Sequence, residues 1–277
     1  MSEAPRVAID RLFEAPELPR TPLPEELERM YGGPFGLAPR VVFGNFVASI
    51  DGVAAIGGMK MSSAAISGGA PADRFVMGLL RTFAEAVVIG STTLREHPGP
   101  WTAERAFADA ATHFSEARRM LALADMPTLV VMTGSGDLPP GHPALRDAIV
   151  VTTSSGARRM AERSVSCREV VEVADAGEVD PRIGVDALRT RGFERVLTEG
   201  GPRLMGSMLE ASLVDELFLT ISPKLIGGGP DRPPLTDGAQ GLHLDSSARL
   251  LSAGRAGDYL LLRYDITAGS APEAVET

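Results

Sequence analysis

Three short stretches carry the residues best suited to chemistry: VLTEGGPRLMG at 196–206, AVVIGSTTLREHPG at 86–99 and NFVASIDG at 45–52. In the first, an apolar run breaks at Thr198 and Glu199 into Gly200, Gly201 and Pro202, and a helix-like pattern containing Arg203 and Leu204 follows. Glycine lets the backbone take φ > 0 and approach a ligand closely. Proline at the first helical position gives up no needed N–H. The free N–H groups of that first turn, with the helix dipole behind them, attract a phosphate. The same residues also suit an ordinary strand-to-helix turn with Glu199 as a solvated charge, because motifs this short are weakly specific. The second stretch ends a strand at Gly90 and offers Ser91, Thr92 and Thr93, whose hydroxyls and N–H groups can cradle a pyrophosphate. Neither stretch is a G-x-G-x-x-G or Walker A loop, so both standard nucleotide fingerprints are missing. In the third, Asn45 sits mid-strand among apolar residues and needs a partner if buried. Ser49 and Asp51 close that strand, although an aspartate before glycine is also a common turn residue.

The elements that must position these stretches read from periodicity. RVVFGNFVAS, AVVIG, TLVVMT, AIVVTT, CREVVEV, ERVLT and DELFLTISPKL are strand-like, and IDGVAAIGGM reads as a turn followed by a short strand. APADRFVMGLLRTFAEA places Phe75, Val76, Leu79, Leu80 and Phe83 on one helical face. PEELERMY, SSGARRMAERS, DPRIGVDALRTRGF and PRLMGSMLEASL are further helices, and AERAFADAATHFSEARRMLALAD reads as one long helical stretch. Strands alternating with helices predict a largely parallel sheet covered on both faces. LHLDSSARLLSAG and DYLLLRYDI close the chain as a hairpin about Gly257-Asp258. Residues 1–40 read as a proline-rich arm, 41–266 as one α/β domain, and 267–277 as a frayed tail.

The composition excludes several classes. With 44% hydrophobic and 23% charged residues in 277, the chain is ordinary for a globular protein. A net charge of −9 opposes a nucleic-acid partner, which needs a basic stripe. The lone Cys167 excludes an internal disulfide, and no Cys/His cluster has zinc spacing, so no metal is expected. The start, MSEAPRVAID, does not read as a secretory signal, and no apolar run reaches about 18 residues, so a cytoplasmic protein without a membrane span is expected.

Taken in order, NFVASIDG, ISGGAPADRFVMGLLR, VVIGSTTLRE, VLTEGGPRLMG and LVDELFLTISPKLIGGG resemble the reductase domain of the bifunctional riboflavin-biosynthesis deaminase/reductase, in its stand-alone actinobacterial form. The zinc deaminase half needs more cysteines than the one present. The resemblance implies a dihydrofolate-reductase-like three-layer αβα sandwich, with a mostly parallel central sheet and an antiparallel C-terminal hairpin. It implies a homodimer that reduces the ribosyl imine of 5-amino-6-(5-phosphoribosylamino)uracil by hydride transfer from NADPH, NADH not being excluded. By the same resemblance, Gly90, Ser91, Thr92, Thr93, Gly200, Gly201, Pro202, Arg203 and Leu204 wall the cofactor's pyrophosphate and nicotinamide ribose, and Val47 and Ala48 meet the nicotinamide. Thr133 and Ser135 hold the adenosine 2′-phosphate, and Thr152 and Thr153 flank the adenine. Asn45, Ser49 and Asp51 face the substrate, Lys60 and Arg74 take its phosphate, and Asp51 or Glu199 relays a proton.

Two departures stand out. The family's aspartate after the first glycine turn, which contacts substrate, is here Glu96, one residue early in TLREHPG. An arginine common in close relatives is here Gly134, and losing a charged hydrogen bond costs about 1.5–3 kcal/mol. Arg158 or Arg159 is the candidate replacement. A same-fold reductase of dihydrofolate or of another imine or carbonyl compound, and a non-catalytic nucleotide-binding protein, remain as alternatives.

Overall fold

The computed structural model describes residues 7–237 and 247–267. Its strands are β1 (Asp10–Glu14), β2 (Val41–Ser49), β3 (Ala86–Gly90), β4 (Thr128–Thr133), β5 (Ile149–Thr153), β6 (Glu169–Ala174), β7 (Arg195–Thr198), β8 (Glu216–Ser222), β9 (Arg249–Ala256) and β10 (Tyr259–Asp265). The α-helices are α1 (Glu25–Tyr31), α2 (Ser62–Ser67), α3 (Pro71–Phe83), α4 (Ser91–Glu96), α5 (Ala103–Ala106), α6 (Ala111–Met120), α7 (Ser154–Glu162), α8 (Pro181–Thr190) and α9 (Pro202–Glu210).

The ten strands of the described residues form one sheet in the order β1-β9-β10-β8-β2-β7-β3-β4-β5-β6. From β8 to β6 every neighbour is parallel. The β9–β10 hairpin and β1 extend the sheet antiparallel. Central strands such as AVVIG and IVVTT are almost wholly apolar because both faces are covered. On one face, α1, α3 and α6 bury Leu27, Phe75, Leu79, Phe83 and Phe114 against Phe43, Val87 and Leu197. On the other, α8 and α9 bury Val185, Leu188, Met205 and Met208 against Val42, Val88 and Val196. This is the dihydrofolate-reductase-like αβα sandwich, with its antiparallel hairpin at the C-terminal end.

Three expectations meet a different outcome. The arm contributes β1 to the sheet, and its Tyr31 and Phe35 join Phe83 and Phe218 in a run of ring contacts at 4.9, 4.9 and 5.9 Å. The short strand expected after Gly52 is irregular backbone, whose Ala54 and Gly57 N–H groups bond Pro233 O and Asp231 O rather than a sheet ladder. The expected long helix breaks at Phe107, extended at φ −146°, which lets its ring pack edge-on against Phe75 at 5.9 Å. The stretch 242–246 of the predicted hairpin and the tail 268–277 lie outside the described residues, as do residues 1–6.

Candidate active site

The sheet face under α3 changes character toward the carboxyl ends of its central strands. Side chains alternate between faces along a strand. Phe43 of β2 and Phe218 of β8 share the α3 face, their rings 6.3 Å apart. The following positions on that face are Asn45, Val47 and Ser49 on β2, and Thr220 and Ser222 on β8. Parallel register sets Val47 beside Thr220 and Ser49 beside Ser222. Apolar core therefore gives way to an amide and hydroxyls, and the short α2 packs on β2 and β8 above them. The carboxyl edge of a doubly wound sheet is where such folds bind ligands.

Asn45 is half-buried, and no hydrogen bond joins its amide to another described residue. Ser222 is wholly enclosed, and its Oγ has no partner among the described residues. Asp51 is differently placed. It accepts from Ser49 Oγ at 2.5 Å, Gly227 N at 2.6 Å and Ile226 N at 3.2 Å. The Ser49 hydroxyl, then the Gly227 N–H, holds its carboxyl down at about 2. This geometry makes Asp51 a clasp between β2 and the 224–227 loop.

Glu199 is likewise engaged. Arg81 of α3 donates from Nε and Nη2 to its two oxygens at 2.9 and 2.6 Å. The two side chains are 8% and 9% exposed, and Arg81 Nη1 also donates to Thr102 O at 3.1 Å. Neither a solvated turn charge nor a free base describes this carboxylate. Beside the pair stands His97, whose pKa burial lowers, with its ring 6.4 Å from that of Trp101.

Sequence reasoning missed the most enclosed acid of this region. Asp73, in the first turn of α3, is 5% exposed. Burial pushes its carboxyl up to about 6, against the hydroxyls of Thr220 and Ser67, and the Glu199 charge adds to the rise. An acid in a first helical turn reads as a solvated complement to the dipole, so PADRF carries no local sign of enclosure.

The other predicted substrate residues lie apart from this group. Lys60 is exposed in the loop before α2. Arg74 is exposed on α3 and donates from Nε to Ala106 O at 2.9 Å. Glu96 ends α4, its carboxyl raised by burial. Among the described residues no hydrogen bond or ion pair joins these three to Asn45 or Ser49.

On the cofactor side the glycines open space. A Cβ on Gly90 would meet nothing within 4 Å, and one on Gly201 only Thr93 Oγ1 at 3.8 Å. The turns carrying Gly90, Ser91, Thr92 and Thr93 and Gly200 to Leu204 therefore lie side by side with room in front. Gly90 and Gly201 have φ of −90° and −65°, and Gly200 is not left-handed either, so the missing side chain matters here rather than the expected positive φ. Pro202 opens α9, whose first-turn N–H groups lack helical partners. Val47 and Ala48 are buried near the end of β2. This opening suits a phosphate-bearing nucleotide.

Further along the edge Thr133, Thr152 and Thr153 are buried, while Ser135 is exposed. Thr152 and Thr153 are both 0% exposed, and their hydroxyls donate to Thr133 O at 2.6 Å and Gly134 O at 2.8 Å. They tie β5 to the loop after β4. Thr133 Oγ1 and Ser135 Oγ lie 3.5 Å apart, and Ser135 Oγ accepts from Asp137 N. A Cβ at Gly134 would lie 2.1 Å from Gly177 O, so this backbone admits no arginine there. Arg158 and Arg159 are exposed on α7, while Arg95 and Arg163 pair with Asp137 at the same edge.

The family model described as the RibD C-terminal domain matches residues 40–255. The chain belongs to the RibD C-terminal domain family. It is 30% identical over 192 residues to a 2,5-diamino-6-ribosylamino-4(3H)-pyrimidinone 5′-phosphate reductase of Methanothermobacter thermautotrophicus, covering 68% of this chain and 82% of that protein. A second protein of that name, from Archaeoglobus fulgidus, is 26% identical over 71% of this chain and 86% of its own length. Among solved structures, a pyrimidine reductase-like protein from Corynebacterium diphtheriae shares the fold at TM-score 0.66 and 20% identity, over 82% of this chain and 92% of that one. The RibD C-terminal domain family member described here is an oxidoreductase of the pyrimidine-reductase kind, in riboflavin biosynthesis.

Proposed function

We propose that the chain is an NADPH-dependent reductase of 5-amino-6-(5-phosphoribosylamino)uracil, acting at the ribosyl imine carbon. The observation that supports it most is the meeting of two features at one sheet edge: an open glycine cradle at Gly90 and Gly201, and a polar floor of Asn45, Ser49, Thr220 and Ser222. The nicotinamide supplies the hydride when bound. The chain's residues bind, orient and exclude water. The cradle and the start of α9 hold the pyrophosphate, Val47 and Ala48 meet the nicotinamide, and the free Asn45 amide orients the substrate. Lys60 and Arg74 are the candidates for its 5′-phosphate.

The Methanothermobacter relative's name favours a second substrate, 2,5-diamino-6-ribosylamino-4(3H)-pyrimidinone 5′-phosphate, which differs on the pyrimidine ring and not at the reacting ribose. Cofactor oxidation with each compound, followed at 340 nm, tests both; no turnover with either would overturn the reading. A homodimer belongs to the same proposal. Edge strand β1 exposes Leu12 and Phe13, and open apolar edges need cover. Light scattering should give twice the 29.2 kDa chain mass, and a monomer would remove this part. We place the enzyme in the cytoplasm; among the described residues no helix is long and apolar enough to cross a membrane.

A further inference from the structure

The strand order fixes the direction of a dinucleotide laid across the carboxyl edge of the sheet. The polar floor belongs to β8 and β2, the glycine cradle follows β7 and β3, and β4 is the next strand out. A nicotinamide over the floor, with its pyrophosphate in the cradle, sends the adenosine toward the loop after β4. Neighbouring strands lie about 4.8 Å apart, and Gly90 stands in register with Met132, so that loop starts directly beside the cradle.

The loop, Thr133 to Asp137, is held from behind at two glycines. A Cβ at Gly134 would lie 2.1 Å from Gly177 O, and one at Gly136 would lie 2.1 Å from Gly156 O. Ser135 stands exposed between them. The loop has no cation of its own, but two reach it from outside. Arg95 of α4 donates from Nη2 to Thr92 Oγ1 in the cradle turn at 3.2 Å and from Nη1 to Asp137 O at 2.8 Å. One guanidinium therefore spans the cradle and the loop. Arg163, just after α7, donates to Asp137 Oδ1. Both arginine side chains are 42% exposed. A guanidinium carries five N–H donors, so both keep donors to offer.

Two guanidiniums against the one carboxylate of Asp137 leave an excess positive charge beside the Ser135 hydroxyl, in a chain of net charge −9. The planar arginine fork suits a phosphate. An acid at such a place can instead accept from a ribose 2′-hydroxyl, as in NADH sites. Here, however, Arg163 takes one carboxylate oxygen of Asp137 and Arg95 lies 3.9 Å from the other. Arg158 and Arg159 make no hydrogen bond or ion pair to this loop among the described residues.

We propose that Arg95 is the residue that selects NADPH over NADH, its guanidinium pairing with the adenosine 2′-phosphate beside Ser135, with Arg163 as the second cation. The assignment rests on the reductase reading above. It accounts for phosphate recognition by a chain whose backbone admits no arginine at 134.

The test is calorimetric titration of NADPH and of NADH into the wild type, Arg95→Gln, Arg95→Lys, Arg163→Gln and Asp137→Asn, at low and at high salt. The wild type should bind NADPH at least about tenfold more tightly than NADH, since the contact is a charged hydrogen bond. Arg95→Gln should lose about tenfold or more for NADPH and stay within about twofold for NADH. Arg95→Lys, which keeps the charge without the fork, should recover part of that loss, and Arg163→Gln should lose less than Arg95→Gln. Asp137→Asn should keep the preference, and salt should narrow it. Equal wild-type affinity for the two cofactors overturns the proposal alone. So does an Arg95→Gln protein that weakens for both alike, which would place Arg95 in support of the cradle through Thr92. An Asp137→Asn protein weakened for NADH only would show the acid reading a hydroxyl, and overturns it too. A wild type that binds neither cofactor overturns the functional reading and this assignment with it.

Discussion

Removing the Glu199 carboxylate asks whether the residue after β7 serves the fold or the proton transfer. The pair it forms with Arg81 is bidentate, at 2.9 and 2.6 Å, with side chains 8% and 9% exposed. Solvent and salt screen such a pair little. Taking one partner away leaves a buried charge uncompensated, at a cost of about 3–5 kcal/mol. Arg81 would keep its bond to Thr102 O, which places Glu199→Gln toward the lower end and Glu199→Ala toward the upper. At roughly 2–4 °C per kcal/mol for a chain near this size, Glu199→Ala should melt about 10–15 °C lower. Replacing both partners, as Arg81→Met with Glu199→Leu, removes both desolvation costs and should recover most of the loss. Urea unfolding of the four proteins in a double-mutant cycle measures the coupling. Glu199→Ala within about 0.5 kcal/mol of the wild type would refute the reasoning, as would a cycle with no coupling.

Three further outcomes follow from the structure. Asp73 is raised from 3.8 to about 6, so the folded state binds its proton more tightly than the unfolded chain; stability is full below about pH 4 and declines as pH rises through 6. Two units correspond to about 3 kcal/mol, and melts of the wild type and Asp73→Asn at pH 4, 6 and 8 should differ by that change in favour of Asn at pH 8. Gly134→Ala should destabilise by about 1–3 kcal/mol in denaturant titration, because its Cβ would overlap Gly177 O at 2.1 Å. Asp51→Ala should speed amide hydrogen exchange at Ile226 and Gly227 by more than about tenfold, since both N–H groups bond its carboxylate.

What could be read beforehand is what depends on neighbours in sequence. Buried parallel strands such as AVVIG and TLVVMT announce themselves as short β-branched runs, and the turns after β3 and β7 were legible from Gly90 and Gly200-Gly201. What stayed hidden depends on distant partners. The β1 segment DRLFE becomes a strand because β9 offers it a ladder. The Ala-rich stretch 103–120 breaks where Phe107 leaves the helix to meet Phe75. Arg81 and Glu199 lie 118 residues apart, and only the arginine's place among Leu79, Leu80 and Phe83 hinted at a buried partner. Asp73 gave no signal, because Ser67 and Thr220 close over it from α2 and β8.

The central claim is that the glycine cradle and the polar floor form one reductase site. The measurement that tests it most directly is NADPH oxidation by the purified chain with 5-amino-6-(5-phosphoribosylamino)uracil, compared with Gly201→Val, whose side chain would fill the opening near Thr93. The account predicts turnover by the wild type, a reduced and ribitylated product, and at least a tenfold loss of cofactor affinity in Gly201→Val. Absence of turnover, or a Gly201→Val protein that binds NADPH as tightly as the wild type, would contradict it.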